Sequence, residues 1–427
     1  MFSFFVENTY PESVFQKQYI FHESVSYIAF QGELTVFIFL LILEGLMKRK
    51  TKGILLATCA FVMTSACTVF AEDSVTVTDL VGRDVTIDLP VESCYLGYYY
   101  ENFLAVVGPD AFTKVKATSL YDTEGFANTL CELYRENVNG FTDMIDIGST
   151  FQDNFDIEKL IESDVDVAIL GEYQYNALTD KVETLEEAGI PVVVINYSAG
   201  TEEKHVASTE ILGQIFQVED RAQEIIDAYV DGHHEVQDRV AKIEEKDRKT
   251  TFHEFHSMIT SYNEIGLSNF SNYNMGQNLF EAGALDIADK FNTGDAGTGT
   301  TLDLEYILEQ DPDAWFIVGG EAANSDKDGI LSGYNVTEEE LRASADGLLE
   351  ARPGFENLKA VKDGNVYVVE NNLLRTLRDY TVVEYIAKAL YPEEFSDMDP
   401  EADMKEFAEK YLPSLPEEGV FFYHLTF

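Results

Sequence analysis

The stretch DIEKLIESDVDVAIL, Asp156 to Leu170, returns in altered form as DLEYILEQDPDAWFI, Asp303 to Ile317. At a constant offset, Asp156, Glu158, Glu162, Asp164 and Asp166 meet Asp303, Glu305, Glu309, Asp311 and Asp313. The apolar Ile157, Leu160, Ile161 and Ile169 meet Leu304, Ile307, Leu308 and Phe316. Apolar residues at the first, fourth and fifth positions mark one face of a helix, and the apolar run that follows reads as a strand. In each copy two glutamates, Glu158 and Glu162 or Glu305 and Glu309, then stack four apart on the outer face, where like charges cost a few tenths of a kcal/mol. One chain thus carries the same acidic helix-then-strand unit twice.

Working outward, apolar strand candidates stand at 94–99, 114–118, 165–170 and 191–196. Helical patterns separate them, such as Leu178 to Ala188, closed by Gly189 and Pro191. Ahead of them SVTVTDLVGRDVTIDLP, Ser74 to Pro90, alternates apolar and polar residues on both sides of Val81-Gly82, a hairpin signal. Around the second copy the alternation resumes with Thr250 to Met258, Gln277 to Phe291 and Val366 to Val369. Helical patterns at Asp379 to Leu390 and Pro400 to Leu412 follow. Between the copies Ala222, Ile225, Ile226, Tyr229, Val236, Val240 and Ile243 keep helical spacing amid charged neighbours, and no proline occurs from Pro191 to Pro312. That predicts one helix from about Arg221 to Glu245, roughly 37 Å long, with Gly232 as its weak point. The fold class expected is α/β. Two Rossmann-like lobes with mainly parallel sheets, residues 72–218 and 249–427, are joined by a linker helix within 219–248, with a ligand cleft between them.

The chain has 427 residues, 45% of them hydrophobic, enough for real cores. Its net charge of −48 argues against a nucleic-acid partner, which requires a basic footprint. Met47 opens a run with Lys48, Arg49, Lys50 and Lys52 before an apolar stretch, and Val69 and Ala71 supply small-residue spacing for a cut before Glu72. Residues 47–71 therefore read as a signal peptide. A competing cut before Cys67, at Thr64-Ser65-Ala66-Cys67, would give a lipid-anchored protein. Residues 1–46 fit neither scheme and read as an extension ahead of a true start at Met47. After cleavage at Ala71 only Cys94 and Cys131 remain, read as two buried free thiols, with a disulfide as the alternative.

Further pieces accumulate in order along the chain. Thr78-Asp79, Gly82-Arg83, Val85-Thr86-Ile87 and Pro90 come first, then Ile147-Gly148 ahead of the first repeat copy. Arg352-Pro353-Gly354-Phe355, Leu358, Ala360 to Gly364 and Val366 to Val369 come last. As a set these resemble the substrate-binding proteins of ABC importers, in the helical-backbone group that serves ferric siderophores, haem and cobalamin. The resemblance implies an extracytoplasmic, non-catalytic, monomeric protein that hands a small-molecule metal complex to a permease dimer with its ATPase subunits. It further implies that Glu158 and Glu305, at the matching motif positions, dock into arginine pockets on that permease.

Open α/β sheets bind ligands beyond the carboxyl ends of their strands. In the first lobe those loops are aromatic: Tyr98, Tyr99, Tyr100, Tyr121, Phe151, Tyr173, Tyr175 and Tyr197. Such rings suit a bulky, ring-bearing ligand, or merely cap the sheet. In the second lobe His256 and Tyr262 follow the first strand, and Arg375 and Arg378 follow the last strong one. With only 29 Lys and Arg in the chain, two arginines on one loop could grip catecholate or carboxylate oxygens, or pair with neighbouring acids.

Three motifs carry little weight. His253-Glu254-Phe255-His256 is not a zinc-protease motif, because histidines three apart on a strand point to opposite faces. His233 and His234 are adjacent on the linker helix and cannot share a site. Gly294 to Gly299 lacks the lysine of a phosphate loop. The expectation is no cofactor, no protein-held metal site and no catalysis, with a ferric siderophore as ligand ahead of haem or cobalamin. An extracellular ligand-sensing domain is the alternative from another class.

Overall fold

The computed structural model describes residues 74–125, 127–199, 202–294, 299–321, 328–416 and 418–427. The signal peptide, Cys67, the extension 1–46 and residues 295–298 of the glycine-rich segment lie outside the described residues. Residues from Glu72 onward belong to one compact unit.

The predicted hairpin forms from β1 (Ser74–Thr78) and β2 (Asp84–Asp88). Five strands follow in the first lobe: β3 (Cys94–Leu96), β4 (Val115–Thr118), β5 (Ile145–Asp146), β6 (Val167–Gly171) and β7 (Val192–Ile195). They form a wholly parallel sheet in the order β5-β4-β3-β6-β7. The second sheet has the order β10-β8-β12-β14-β16, built from β8 (Thr250–Phe255), β10 (Leu285–Asp286), β12 (Ala314–Gly319), β14 (Val366–Glu370) and β16 (Phe422–Leu425). Only β16 runs antiparallel; β9 (Leu267–Asn269) with β11 (Gly299–Thr301), and β13 (Gly333–Tyr334) with β15 (Gly419–Val420), form two-stranded sheets of their own. Two lobes with mainly parallel sheets are therefore present, as the alternation predicts.

Successive residues of a strand face opposite sides, and here both sides are covered. Val167 and Ile169 of β6 face one core while Ala168 and Leu170 face another. In β12, Ala314, Phe316 and Val318 join the same inner core as Val167, and Trp315 and Ile317 enter a third. That inner core is shared between lobes, and Ala222, Ile225, Tyr229, Val236 and Val240 of the linker helix sit in it. The linker helix runs Glu219–Val240, about 33 Å, and stops short of the expected end. Ile243 still packs against the core, but from a turn in which its amide bonds Val240 O, so its apolar spacing imitated another helical turn. Gly232 is no weak point either: a Cβ there would lie 2.4 Å from the Tyr380 ring, so the glycine admits a close approach by the helix Tyr380–Leu390.

The repeated unit becomes helix Ile157–Glu162 with β6, and helix Leu304–Gln310 with β12. In each sheet its strand lies beside the lobe's first strand, β3 or β8. Five of the matched acids, at three of the paired positions, explain themselves. Asp156 caps its helix by accepting from Lys159 N at 3.0 Å. Asp164 and Asp311 both take left-handed backbone, φ 52° and 45°, which aspartate tolerates better than most residues. Asp166 accepts from the amides of Glu92 and Ser93, at the threshold of β3, while Asp313 accepts from the amide and hydroxyl of Thr250, where β8 begins. The repeat is thus a bracket that fastens each lobe's first strand. Glu158 and Glu305 take no part in it: both are exposed, and neither has a hydrogen-bond or ion-pair partner among the described residues.

The linker helix is also fixed by charge. His233 places Nδ1 2.6 Å from Glu281 and Nε2 3.0 Å from Asp379, all three buried. Burial opposes the imidazolium, but bonds to Asp379 and Glu281 outweigh it and lift the His233 pKa from 6.5 to about 10. A pKa raised on folding contributes stability that is full below pH 6.5 and lost as pH climbs through about 10. His233→Gln is therefore expected to melt lower than the native protein near neutrality, with the gap narrowing on the alkaline side. A gap in melting temperature independent of pH would show that the charge is not what binds the helix.

Candidate functional site

Strand order reverses between β3 and β6 in one sheet and between β8 and β12 in the other. Loops leaving the carboxyl ends of such neighbours part company and leave a crevice, the usual ligand position in open α/β sheets. In the first lobe those loops carry Gly97-Tyr98-Tyr99 and Gly171 to Tyr173. Gln174 bridges them, accepting from Gly171 N at 3.1 Å and donating to Gly97 O at 3.2 Å. Gly97 permits this, since a Cβ there would fall 2.0 Å from Gln174 Oε1.

Gln174 also donates to Asp122 at 2.8 Å, Tyr173 donates its hydroxyl to the same carboxylate at 3.1 Å, and Ser149 completes the set. Burial pulls the Asp122 pKa up, against the pull of those hydrogen bonds. Asp122 therefore ties together the loops after β4, β5 and β6, and holds Tyr173 upright. Tyr173 in turn stacks on Phe151, ring centres 4.9 Å apart, and meets Tyr98 edge-on at 5.7 Å. Tyr98 meets Tyr99 at 4.9 Å, and Tyr99 anchors its hydroxyl on Ser198 at 3.0 Å.

Arg375 of the second lobe faces this aromatic wall. Its charge acts on the hydroxyls of Tyr98, Tyr99 and Tyr273, and on Glu370. Burial raises the Tyr98 pKa while Arg375 pulls it the other way. Yet Arg375 forms no ion pair among the described residues; its only side-chain hydrogen bond runs to Asn371 O at 3.4 Å. Its backbone carbonyl takes the amide of Asn102 at 2.9 Å, which secures the loop to the first lobe.

Tyr98, Tyr99, Phe151, Tyr173 and Arg375 are thus brought together, while Tyr121 stays at the surface, 40% exposed. The other expected ligand residues are placed elsewhere. Tyr100 bonds Thr118 and packs among Phe112, Tyr134 and Phe141, because the left-handed turn at Tyr99 (φ 62°) sends the next side chain into the core. Tyr197 is fully buried and bonds Thr209 at 3.0 Å. Tyr175 lies beneath the Arg83 guanidinium, toward the hairpin. His256 is buried 3.2 Å from Glu254, and Tyr262 is buried with its hydroxyl on Ser344 O. Arg378 is spent on Glu101 at 2.8 and 3.0 Å and on the Tyr334 hydroxyl at 2.9 Å, the salt-bridge alternative. His253 bonds Asp286 and the amide of Asn269, a structural role. Asp122 and Tyr273 escaped the sequence reading, since nothing in their local pattern sets them apart. Cys94 and Cys131 are free and buried. Among the described residues no group of His, Cys, Asp and Glu is placed to hold a metal ion.

The periplasmic binding protein family model matches residues 126–373. A crystal structure of the TroA-like periplasmic binding protein FepB from Veillonella parvula is 28% identical, covers 82% of this chain and 100% of its own, and superposes with a TM-score of 0.75. A molybdate periplasmic binding protein from Haemophilus influenzae (16% identical, 80% and 99% covered, TM-score 0.57) shares the fold. So does the Helicobacter pylori protein CeuE with Ni(II) bound (17%, 79% and 96%, TM-score 0.57). In sequence the chain is 24% identical over 247 residues, 57% of its length and 68% of the relative's, to an uncharacterised ABC transporter substrate-binding lipoprotein of Bacillus subtilis.

Proposed function

The chain belongs to the periplasmic binding protein family, and we propose that it captures a ferric siderophore or a related anionic, ring-bearing iron complex. It is an extracytoplasmic substrate-binding component of an ABC transporter rather than an enzyme, and its partners are a permease and an ATPase. The observation that carries the ligand class is Arg375. In a chain with 77 acidic and 29 basic residues, this guanidinium has no carboxylate at ion-pair distance among the described residues and stands before a wall of tyrosine and phenylalanine rings. A planar fork of donors beside aromatic faces fits catecholate or carboxylate oxygens on a ring-bearing ligand. Haem and cobalamin are the runners-up.

Visible absorption and native mass of protein purified from its own host test the class, since a ferric catecholate, a haem and a corrinoid differ in spectrum. Arg375→Gln is expected to weaken binding of ferric catecholate roughly 10- to 100-fold, the value of a charge-assisted hydrogen bond or two. A haem or corrinoid spectrum, or unchanged affinity in the variant, overturns the reading.

We further infer that the protein works as a monomer, held at the membrane through Cys67 or released after Ala71. Glu158 and Glu305 are read as its contacts with the permease. Like Glu162, Asp303 and Glu309 they are exposed acids of the repeat with no partner among the described residues, and it is their matched place in the first turn of each helix that singles them out.

A further inference from the structure

Apart from the linker helix, whose Arg221 bonds carbonyls of both lobes, and the buried approach of His205 to Asp379 at 3.9 Å, the polar contacts between the lobes among the described residues are of two kinds. One is permanent in character: Asn102 and Glu101, on the helix Tyr100–Val107, bond the loop carrying Arg375, Leu377 and Arg378. All of these except Arg375 are buried beside the shared core. The other is a single side chain. Glu321, just past β12 in the second lobe, places Oε2 2.5 Å from Thr129 N and Oε1 3.0 Å from Leu130 N in the first.

Those amides open the ten-residue helix Asn128–Asn137, whose first N–H groups lack partners within the helix. Its N-cap residue, Ala127, has no side chain able to serve them, and Glu321 supplies the missing cap from across the lobe junction. The carboxylate also meets the positive end of the helix dipole. Against this, burial disfavours the Glu321 charge and pulls its pKa up, with the two amide bonds only partly offsetting it. The contact is made by one side chain that belongs to no apolar core, so either lobe can let go of it without breaking one.

We propose that Glu321 is a releasable latch between the lobes, a positioning residue that holds the carboxyl end of β12 against the first lobe. The idea rests on the capture-and-delivery reading only for its purpose; the latch itself is a property of the ligand-free chain. Closure need not come from the linker helix, whose apolar face is buried in the shared core along its length, but from this one carboxylate past the end of β12. Ligand entry and release would then require the Glu321 bonds to break while the Arg378–Glu101 pair stays shut.

Two measurements on the full ligand-free protein test it. Amide hydrogen exchange at Thr129 and Leu130 should accelerate at least about tenfold in Glu321→Ala, while in Glu321→Gln, whose amide has one acceptor oxygen, one of the two sites should stay protected. Spin labels on Glu183→Cys and Lys362→Cys, one exposed position per lobe, should show a distance distribution that broadens toward longer values in Glu321→Ala. Unchanged protection in Glu321→Ala overturns the proposal. Lost protection with an unaltered distance distribution overturns it too, since Glu321 would then be a helix cap without hold on the lobes. Failure to bind ferric catecholate would sink the ligand reading alone and leave both measurements valid.

Discussion

Arg352→Leu is expected to lower stability by about 3–5 kcal/mol, enough to threaten folding of a domain that is only marginally stable. Arg352 is 1% exposed, and its fork is engaged on every side. It grips both oxygens of the fully buried Glu254, donates to Tyr262 O at 2.8 Å, and reaches Glu264 O. Its plane lies 5.8 Å from the Trp315 ring centre and 5.4 Å from that of Phe355. Burial would push the Glu254 pKa up, but His256 and Arg352 hold it at about 2, so the carboxylate stays charged across ordinary pH.

Leucine would leave that charge in the core with only Gly266 N at 2.8 Å and His256 at 3.2 Å for company, and two carbonyls without their donor. Removing one partner of a buried pair costs more than removing both. Glu254→Gln combined with Arg352→Leu should therefore recover part of the loss, a coupling that a double-mutant cycle in urea reads directly. If Arg352→Leu unfolds within about 1 kcal/mol of native, the pair is not the second lobe's keystone. The result would also explain a motif. Arg352-Pro353-Gly354-Phe355 reads along the chain as a family signature without a mechanism. In the fold Arg352 pins β8 to the loop after it, Gly354 supplies a backbone at φ 101°, and Phe355 packs edge-on against Trp315.

That contrast runs through the molecule. Strands β6, β7, β12 and β14 were legible because parallel strands covered on both faces are mostly apolar. Strands of two or three residues, such as β5 and β10, leave no such trace, and β16 is set by pairing with β14 rather than by any pattern of its own. The site was half legible. Composition picked out the aromatic loops, but which ring of Tyr98-Tyr99-Tyr100 turns outward depends on one left-handed residue. Arg375 and Arg378 share a loop and a chemistry; a single acid on another lobe, Glu101, decides that one is structural and the other is left facing the crevice. Sequence spacing carries no information about partners so far away along the chain. The repeat, by contrast, was visible at once, because both copies solve the same local problem of fastening a first strand.

Reversing both exposed glutamates of that repeat, Glu158→Lys with Glu305→Lys, is expected to abolish uptake while leaving ligand affinity and folding intact. Each side chain sits in the first turn of a short helix that precedes a sheet strand, so it stands on the same rim as the ligand loops. The ligand wall itself follows β3 and β6, and neither glutamate takes part in it. Folding should survive, because relief of the repulsion from Glu162 or Glu309 offsets much of the lost helix-dipole attraction, both being tenths of a kcal/mol. A permease surface with arginines opposite would meet lysines instead, and paired attractions would become paired repulsions. Single reversals should each impair transport, and the double reversal should exceed either. The comparison that matters is uptake against affinity in the same preparations: transport lost with binding retained places the defect at the partner. If the double variant transports normally, the repeat is a strand bracket and nothing more, and Glu158 and Glu305 are ordinary solvated charge.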